Sequence, residues 1–274
     1  MKRLLIVGYG DIARRAARAL ESRFAIFKVS RASGVDLDRP QTLELPAAEA
    51  LLHCAPPPAT GETDPRTANL LAALKQSPAR LVYISTSGVY GDCRGELVDE
   101  TRPLNPQTPR ARRRADAEAR LGFWCKERGI AFIVLRVPGI YASDRLPLER
   151  LRAGLPVLRA ADDVYTNHIH ADDLAAAVVR ALDEDAPAGT YNASDDSELR
   201  MAEWMDFVAD YAGLPRPPRL PRSRVAQFVS PEALSFMSES RRLDNRRLKS
   251  VLGFQLRYPN VYQGLRHEHV IGVD

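Results

Sequence analysis

Gly8, Gly10 and Ala13 stand at Gly-x-Gly-x-x-Ala spacing, directly behind the apolar run "RLLIV" and ahead of "DIARRAARALESR". Small residues at that pitch do their chemistry through the backbone. The first permits a tight turn out of a strand, the second lets the chain approach a diphosphate, and the third packs a helix close to the strand. The free amides and positive dipole end of that helix then face the phosphates. Tyr9, Asp11 and Ile12 fill the same turn and belong to the same candidate cofactor site. Roughly 20 residues further on, where a ribose-reading residue belongs, "FAIFKVSR" ends in Ser30 and Arg31. A carboxylate there would grip the 2′-hydroxyl of NAD, whereas a hydroxyl and a fixed cation suit the 2′-phosphate of NADP. NADP is the expected cofactor, with NAD as the alternative.

A second group of chemical interest is "QTPRARRRADAEARL", in which Arg110, Arg112, Arg113 and Arg114 crowd four guanidinium groups into five positions. Nucleic acid would welcome the charge, but no aromatics interleave with it, no recognition motif accompanies it, and Asp116 and Glu118 follow at once. DNA and RNA are therefore not expected partners, and some of these arginines are read as a solvated helix face. His168 and His170 alternate as two residues on one strand face would, and His267 and His269 repeat the spacing near the end. Both pairs are read as packing or solvated residues, so no metal is expected. In "HADDL", Asp172 or Asp173 is read as a helix cap.

The elements that must position these groups follow from periodicity. Short apolar runs ("RLLIV", "FAIFKVSR", "EALLHCA", "ARLVYIST", "IAFIVLRV") alternate with amphipathic stretches ("DIARRAARALESR", "DPRTANLLAALKQ" and the arginine segment). That alternation predicts an α/β fold with a doubly wound parallel sheet, a Rossmann fold. Ligands on such sheets lie beyond the carboxyl ends of the strands. This adds Asp36, Ala55, Pro56, Pro57, Ser85 and Pro138 to the cofactor-binding candidates.

The bulk properties set bounds. The 274 residues, with 45% hydrophobic and 27% charged content, describe an ordinary globular chain of one large or two joined domains. The net charge is only +4, and just five of the 39 basic residues are lysines, so arginine predominates along the whole chain. Three widely spaced cysteines with no CxxC pair argue against a disulfide framework and fit a reducing, cytoplasmic setting. Five apolar residues before Gly8 are too few for a signal-peptide core, and no run approaches the ~18 apolar residues of a membrane span. Membranes are not expected partners.

Five blocks, "YISTSGVYGD", "VDETRPLNP", "LRVPGIYASDR", "NHIHADDLAAAV" and "GTYNASDD", stand in an order that resembles the extended short-chain dehydrogenase/reductases, which include NAD(P)-dependent nucleotide-sugar epimerases and dehydratases. The Gly-x-Gly-x-x-Ala spacing and "HCAPPPATGETD" are more similar to atypical members. The resemblance implies a Rossmann domain over 1–141 and 168–192, and a smaller substrate-binding region over 142–167 and 193–274. It also implies a catalytic Ser/Thr, Tyr and Lys. Thr86 falls at the first position, but Tyr-x-x-x-Lys falls on Arg110-x-x-x-Arg114, with Glu118 at the glutamate that often follows. No tyrosine lies between Tyr90 and Tyr141 to restore the pair by a shifted register. A guanidinium stays protonated at any working pH, so Arg110 cannot transfer the proton, although Arg114 retains the charge to hold a ribose. Ser87-Gly88 replace the Asp-Glu pair of the dehydratases, so dehydration by that route is not expected. Ser87, Tyr90, Tyr141, Arg145, His168 and Arg241 complete the candidate substrate set, the arginines suiting an anionic group.

Two functional expectations follow. One is an NADP-dependent oxidoreductase or epimerase acting on a small anionic or nucleotide-sugar-like substrate through atypical catalytic residues. The other is a catalytically silent NADP-binding sensor or regulator. By analogy with many relatives, the helices "DPRTANLL" and "RARRRADAEARL" would pair in a homodimer.

Overall fold

The computed structural model describes residues 1–268. Its centre is a six-stranded parallel sheet built from β1 (Lys2–Val7), β2 (Phe24–Val29), β3 (Ala50–His53), β4 (Arg80–Thr86), β5 (Ala131–Val137) and β6 (Gly189–Asn192). The order across the sheet is β6-β5-β4-β3-β1-β2. The chain winds outward from β1 to β2, then crosses back to place β3 on the other side of β1. The crevice between the carboxyl ends of β1 and β3 is the topological switch point, where doubly wound sheets hold their ligands. The expected fold class is the observed one.

Alternation along each strand feeds two cores. Leu4 and Ile6 join Leu52 and Val82 on one face, beneath Ile12, Ala16 and Leu20 of helix α1 (Asp11–Leu20). Leu5 and Val7 point the opposite way, with Leu51, Leu81 and Tyr83, against Leu70 of α2 (Pro65–Ala73) and Ala117, Leu121 and Cys125 of α3 (Pro109–Glu127). Helix α4 (Ala171–Ala181) covers the first face beside α1 through Leu174 and Val178. A third core gathers Tyr141, Leu151, Val157, Val261 and Leu265 around Trp204, Met205 and Val208 of α5 (Met201–Tyr211).

The caps show why the helices begin where they do. Asp64 accepts the Arg66 and Thr67 amides ahead of Pro65, and Thr108 accepts the Ala111 amide ahead of Pro109. At α4 the expectation of an aspartate cap is corrected. His170 Nδ1 accepts the Asp172 amide at 3.2 Å, while Asp172 pairs with Arg15 at 2.6 Å. Asp173 instead accepts the amides of Arg257 and Tyr258, both at 2.9 Å, and so fastens the C-terminal segment to the start of α4. The far end of α4 is closed by Arg80, which donates to the carbonyls of Ala181, Glu184 and Ala186. Beneath β3 a buried chain runs from His53 Nε2 to Thr67 Oγ1 at 2.9 Å and on to Asp64 at 2.7 Å. Thr67 gives its hydrogen to Asp64, so His53 donates from Nε2.

Among the described residues no helix is long and apolar enough to cross a membrane, and no cluster of potential ligands could hold a metal. Of the histidine pair near the end, His269 lies outside the described residues.

Candidate active site

The glycine turn is built as its spacing demands. Gly8 has φ of +89°, and a Cβ on it would lie 2.3 Å from the Ala55 nitrogen and 2.5 Å from its Cα. Only glycine fits between the ends of β1 and β3. Its amide donates to the Val29 carbonyl at 2.8 Å, tying the turn to β2. Gly10 serves a different end. It caps α1 with no side-chain hydrogen bond, and a Cβ there would meet nothing within 4 Å. The side chain missing at Gly10 leaves space open and the first amides of α1 without a side-chain acceptor.

These residues floor a cleft of about 560 Å³ at the switch point. Gly8, Tyr9, Gly10, Asp11, Ile12, Ser30, Arg31, Asp36, Ala55 and Pro56 all line it, as do Arg114 and Arg145. At the β2 end, Arg31 opens a short 3₁₀ turn (Arg31–Ser33) and is exposed, with no ion pair among the described residues. Ser30 precedes it, its amide donating to Ser33 Oγ at 2.9 Å. At the α1 end, Asp11 receives Arg15 at 3.1 Å and Arg145 at 2.9 Å. Burial pushes the Asp11 carboxyl upward, but Arg15 and then Arg145 outweigh it and hold it below the usual carboxylate range. Sequence reasoning missed Arg66, whose side chain reaches the cleft from the first turn of α2. Its spacing carries no signal, because its partners lie 28 and about 10 residues away.

The four crowded arginines of α3 fan apart. Arg114 turns into the cleft, donating to the Ile84 carbonyl at 2.9 Å and to the Tyr83 hydroxyl at 3.1 Å. Arg113 is buried and donates to the Gly61 carbonyl at 2.6 Å. Arg112 lies outside in an exposed pair with Glu62. Arg110, at the position of the family's tyrosine, does not line the cleft. Its guanidinium lies 4.0 Å over the Phe236 ring and 3.4 Å from Glu232, both on α6 (Pro231–Phe236). A planar cation on an aromatic face explains the turn.

A glycine-floored switch point, an amide-rich helix start and a cleft-facing basic residue four positions after Arg110 make a dinucleotide-type site. Residues 66–194 match the model of the NAD dependent epimerase/dehydratase family. The match covers just under half of the chain. Family likeness extends beyond the matched segment. A 3-diazoavenalumate denitrifying reductase from Streptomyces sp is 28% identical over 86% of this chain and 82% of its own length. A functionally unknown conserved protein from Silicibacter pomeroyi DSS superposes with a TM-score of 0.80 at 29% identity, covering 99% of each chain. A human epimerase family protein crystallised with NADPH shares the fold at a TM-score of 0.72 and 18% identity, over 97% of this chain and 98% of its own. The dTDP-glucose 4,6-dehydratases of Mycobacterium tuberculosis match over 48% of this chain, which spans only 43% of their length.

Several family positions are built here into a buried polar chain, away from the cleft. Ser85 donates to Glu118, and Glu118 meets Arg136 at 2.8 Å with both side chains 8% exposed. Arg136 donates to the Tyr90 hydroxyl at 2.9 Å, and Tyr90 donates to Asn192 at 2.8 Å. Burial, opposed by Arg136, pushes the Tyr90 hydroxyl up to about 12. Tyr90 is thus held in the core and Ser85 is engaged by Glu118. Thr86 ends β4 and accepts the Gly88 amide at 3.2 Å, with Ser87 buried beside it.

Tyr141 and His168, expected at the substrate, sit in the third core. His168 lies 4.4 Å from the Trp204 ring and 6.2 Å from Tyr141. Burial drives its imidazole down to about 3, so it stays neutral. Arg241 donates to the Gly91 carbonyl at 2.6 Å and pairs with Glu239 at 2.9 Å. Pro57 and Pro138 follow their strands without lining the cleft, although the Pro57 carbonyl accepts from Arg66 at 3.2 Å.

Proposed function

We propose that this chain binds NADP(H) and reduces a small anionic substrate without the tyrosine that usually transfers the proton in relatives. The observation that carries the reading is the exposed Arg31, with no ion pair among the described residues, beside a turn in which Gly8 admits no side chain and Gly10 leaves room for a ligand. Gly8, Gly10 and the first amides of α1 would hold the diphosphate, and Ser30 and Arg31 the 2′-phosphate. Arg114, anchored on the Ile84 carbonyl, would hold the nicotinamide ribose as a lysine does in relatives. When bound, the cofactor supplies hydride.

The chain's own residues then limit which hydride acceptors suit it. Arg110 cannot lose a proton at working pH, and its guanidinium is directed to Phe236. Tyr90 and Tyr83 are buried, each with its hydroxyl pushed up to about 12, chiefly by that burial. Epimerisation through a ketone, or carbonyl reduction, needs a group at the substrate oxygen to take or give a proton. An acceptor that carries its own leaving group does not. In a diazonium compound, hydride forms the new C–H bond and dinitrogen departs with the old C–N bonding pair. The similarity to a diazo-denitrifying reductase supports this reading. Arg145, on the cleft wall, would face an anionic substrate group.

The test is a fluorescence titration with NADPH and NADH, followed by cofactor oxidation measured against aryl diazonium carboxylates, aldehydes, ketones and sugar nucleotides. Tighter NADPH binding, weakened in Arg31→Ala with NADH affinity unchanged, is the expected result, with turnover confined to acceptors bearing a leaving group. Reduction of simple ketones at equal rates would overturn the proton-free reading. The second reading, a cofactor sensor, draws on the α3–α6 contact through Arg110. Tight NADPH binding with no turnover across the panel would establish it in place of the enzyme.

A further inference from the structure

Arg66 has five hydrogen-bond donors on its guanidinium fork, and the structure uses them to join two separate loops at the cleft. Nε and Nη2 grip Asp38 at 2.8 and 2.6 Å, and Nη1 donates to the Pro56 and Pro57 carbonyls at 3.0 and 3.2 Å. Asp38 closes the loop that follows β2 and carries Arg31, while Pro56 and Pro57 lie in the loop that follows β3. A lysine could neutralise Asp38, but it could not hold one carboxylate bidentately and two carbonyls at once.

The charges at this end of the cleft nearly balance. Asp36 and Asp38 are the acids of the loop after β2, Arg31 and Arg39 its bases, and Arg66 reaches in from α2 beside Asp64. Arg66 takes up the Asp38 charge completely in geometric terms, one nitrogen to each oxygen. Arg31 is thereby left without an anionic partner among the described residues. Were Arg66 absent, Asp38 would lose both nitrogens that hold its oxygens. Asp38, whose charge Arg31 already senses, would be free to take Arg31 as its partner. The same loop would then repel a phosphate and offer a carboxylate to a ribose hydroxyl.

We infer that Arg66 is a specificity-determining positioning residue, which keeps Arg31 available to the 2′-phosphate by occupying Asp38 and tying its loop to Pro56 and Pro57. The inference rests on the NADP(H) reading of the cleft. It makes cofactor choice depend on a residue of α2 that need not touch the nicotinamide.

Dissociation constants for NADPH and NADH, measured by fluorescence titration at low and high salt, test it in the full-length protein. In Arg66→Met the NADPH preference is expected to fall about tenfold or more, the scale of one unit charge in a medium between protein and water. Adding Asp38→Asn in the same chain is expected to restore most of the preference, and Asp38→Asn alone to leave it within about twofold. Equal weakening of both cofactors, or no rescue by Asp38→Asn, would mean that Arg66 only supports the loop and would overturn the inference. If Arg66→Met does not fold, Arg66→Lys, with the charge but not the fork, carries the test. A partial fall in preference supports the inference and an unchanged preference overturns it. Failure of the unaltered protein to bind either dinucleotide, or its preference for NADH, would refute the cleft reading itself, and the inference with it.

Discussion

Glu118 sits at a place where a glutamate often follows the catalytic pair in relatives, yet here its carboxylate is spent inside the molecule. Its replacement by alanine measures what that burial is worth. Arg136 would lose its Nη2 contact at 2.8 Å and two longer ones from Nε at 3.3 Å, keeping only the Tyr90 hydroxyl among the described residues. With its side chain 8% exposed, the guanidinium can recruit little water. An uncompensated buried charge costs about 3–5 kcal/mol, and the Ser85 hydroxyl loses its acceptor as well, so the upper part of that range is expected. That corresponds to a fall in melting temperature of roughly 8–20 °C. Urea unfolding followed by circular dichroism reads the loss directly. The double change Glu118→Leu with Arg136→Met removes both charges and is expected to cost less than Glu118→Ala alone. A cost below about 1 kcal/mol for Glu118→Ala, or a double variant worse than the sum of the singles, would show that the charge is not truly desolvated.

The two glycines of the turn are expected to fail differently. Gly8→Ala forces a Cβ to within 2.3 Å of the Ala55 nitrogen at a φ of +89°, and should cost about 2 kcal/mol or more of stability as well as dinucleotide affinity. Gly10→Ala, with nothing within 4 Å, should melt like the parent and lose NADPH binding alone, which paired melting and titration will show. Acid should weaken the fold through His53 and His168, each driven down to about 3, chiefly by burial. Both are neutral when folded and take a proton on unfolding, so stability is present above the ordinary histidine value and lost as pH falls. The loss should be about 2 kcal/mol for each at pH 5, measurable as a drop in urea midpoint between pH 7 and pH 5. Asp195 acts in the opposite sense. Burial raises its carboxyl to about 8, so it ionises on unfolding and lowers stability as pH rises. Asp195→Asn should therefore gain more at pH 8 than at pH 5.

What could be read from the chain alone was whatever the backbone does over short distances. The turn at Gly8 and Gly10 needs only the absence of side chains, and the parallel strands need only apolar runs, so both were legible. The end of β2 was legible for the same reason, since Ser30 and Arg31 sit at a fixed offset from the turn. Side chains that work over long separations were not. Arg66 finds Asp38 only once β2 and β3 flank β1, and Arg110 finds Phe236 122 or more residues away along α6. The surroundings of Tyr90, Ser85 and His168 were not legible for another reason. A tyrosine, serine or histidine suited to catalysis is equally suited to saturating a buried polar chain or filling an aromatic core, and composition does not distinguish the two. The cap of α4 fell to His170 because its ring, held against Tyr258 at 4.1 Å, already points Nδ1 at the helix.

The grip of Arg80 on the three carbonyls at the end of α4, repeated in kind by Arg66 on two proline carbonyls, bears on how the chain can be handled. Such multi-pronged tethers need a planar fork, and with 34 arginines against five lysines the scaffold leaves few primary amines. Reagents aimed at ε-amino groups, whether dyes, biotin esters or bifunctional cross-linkers, would find in these 274 residues only Lys2, Lys28, Lys75, Lys126 and Lys249. Dicarbonyl reagents that attack guanidines would dissolve the tethers themselves.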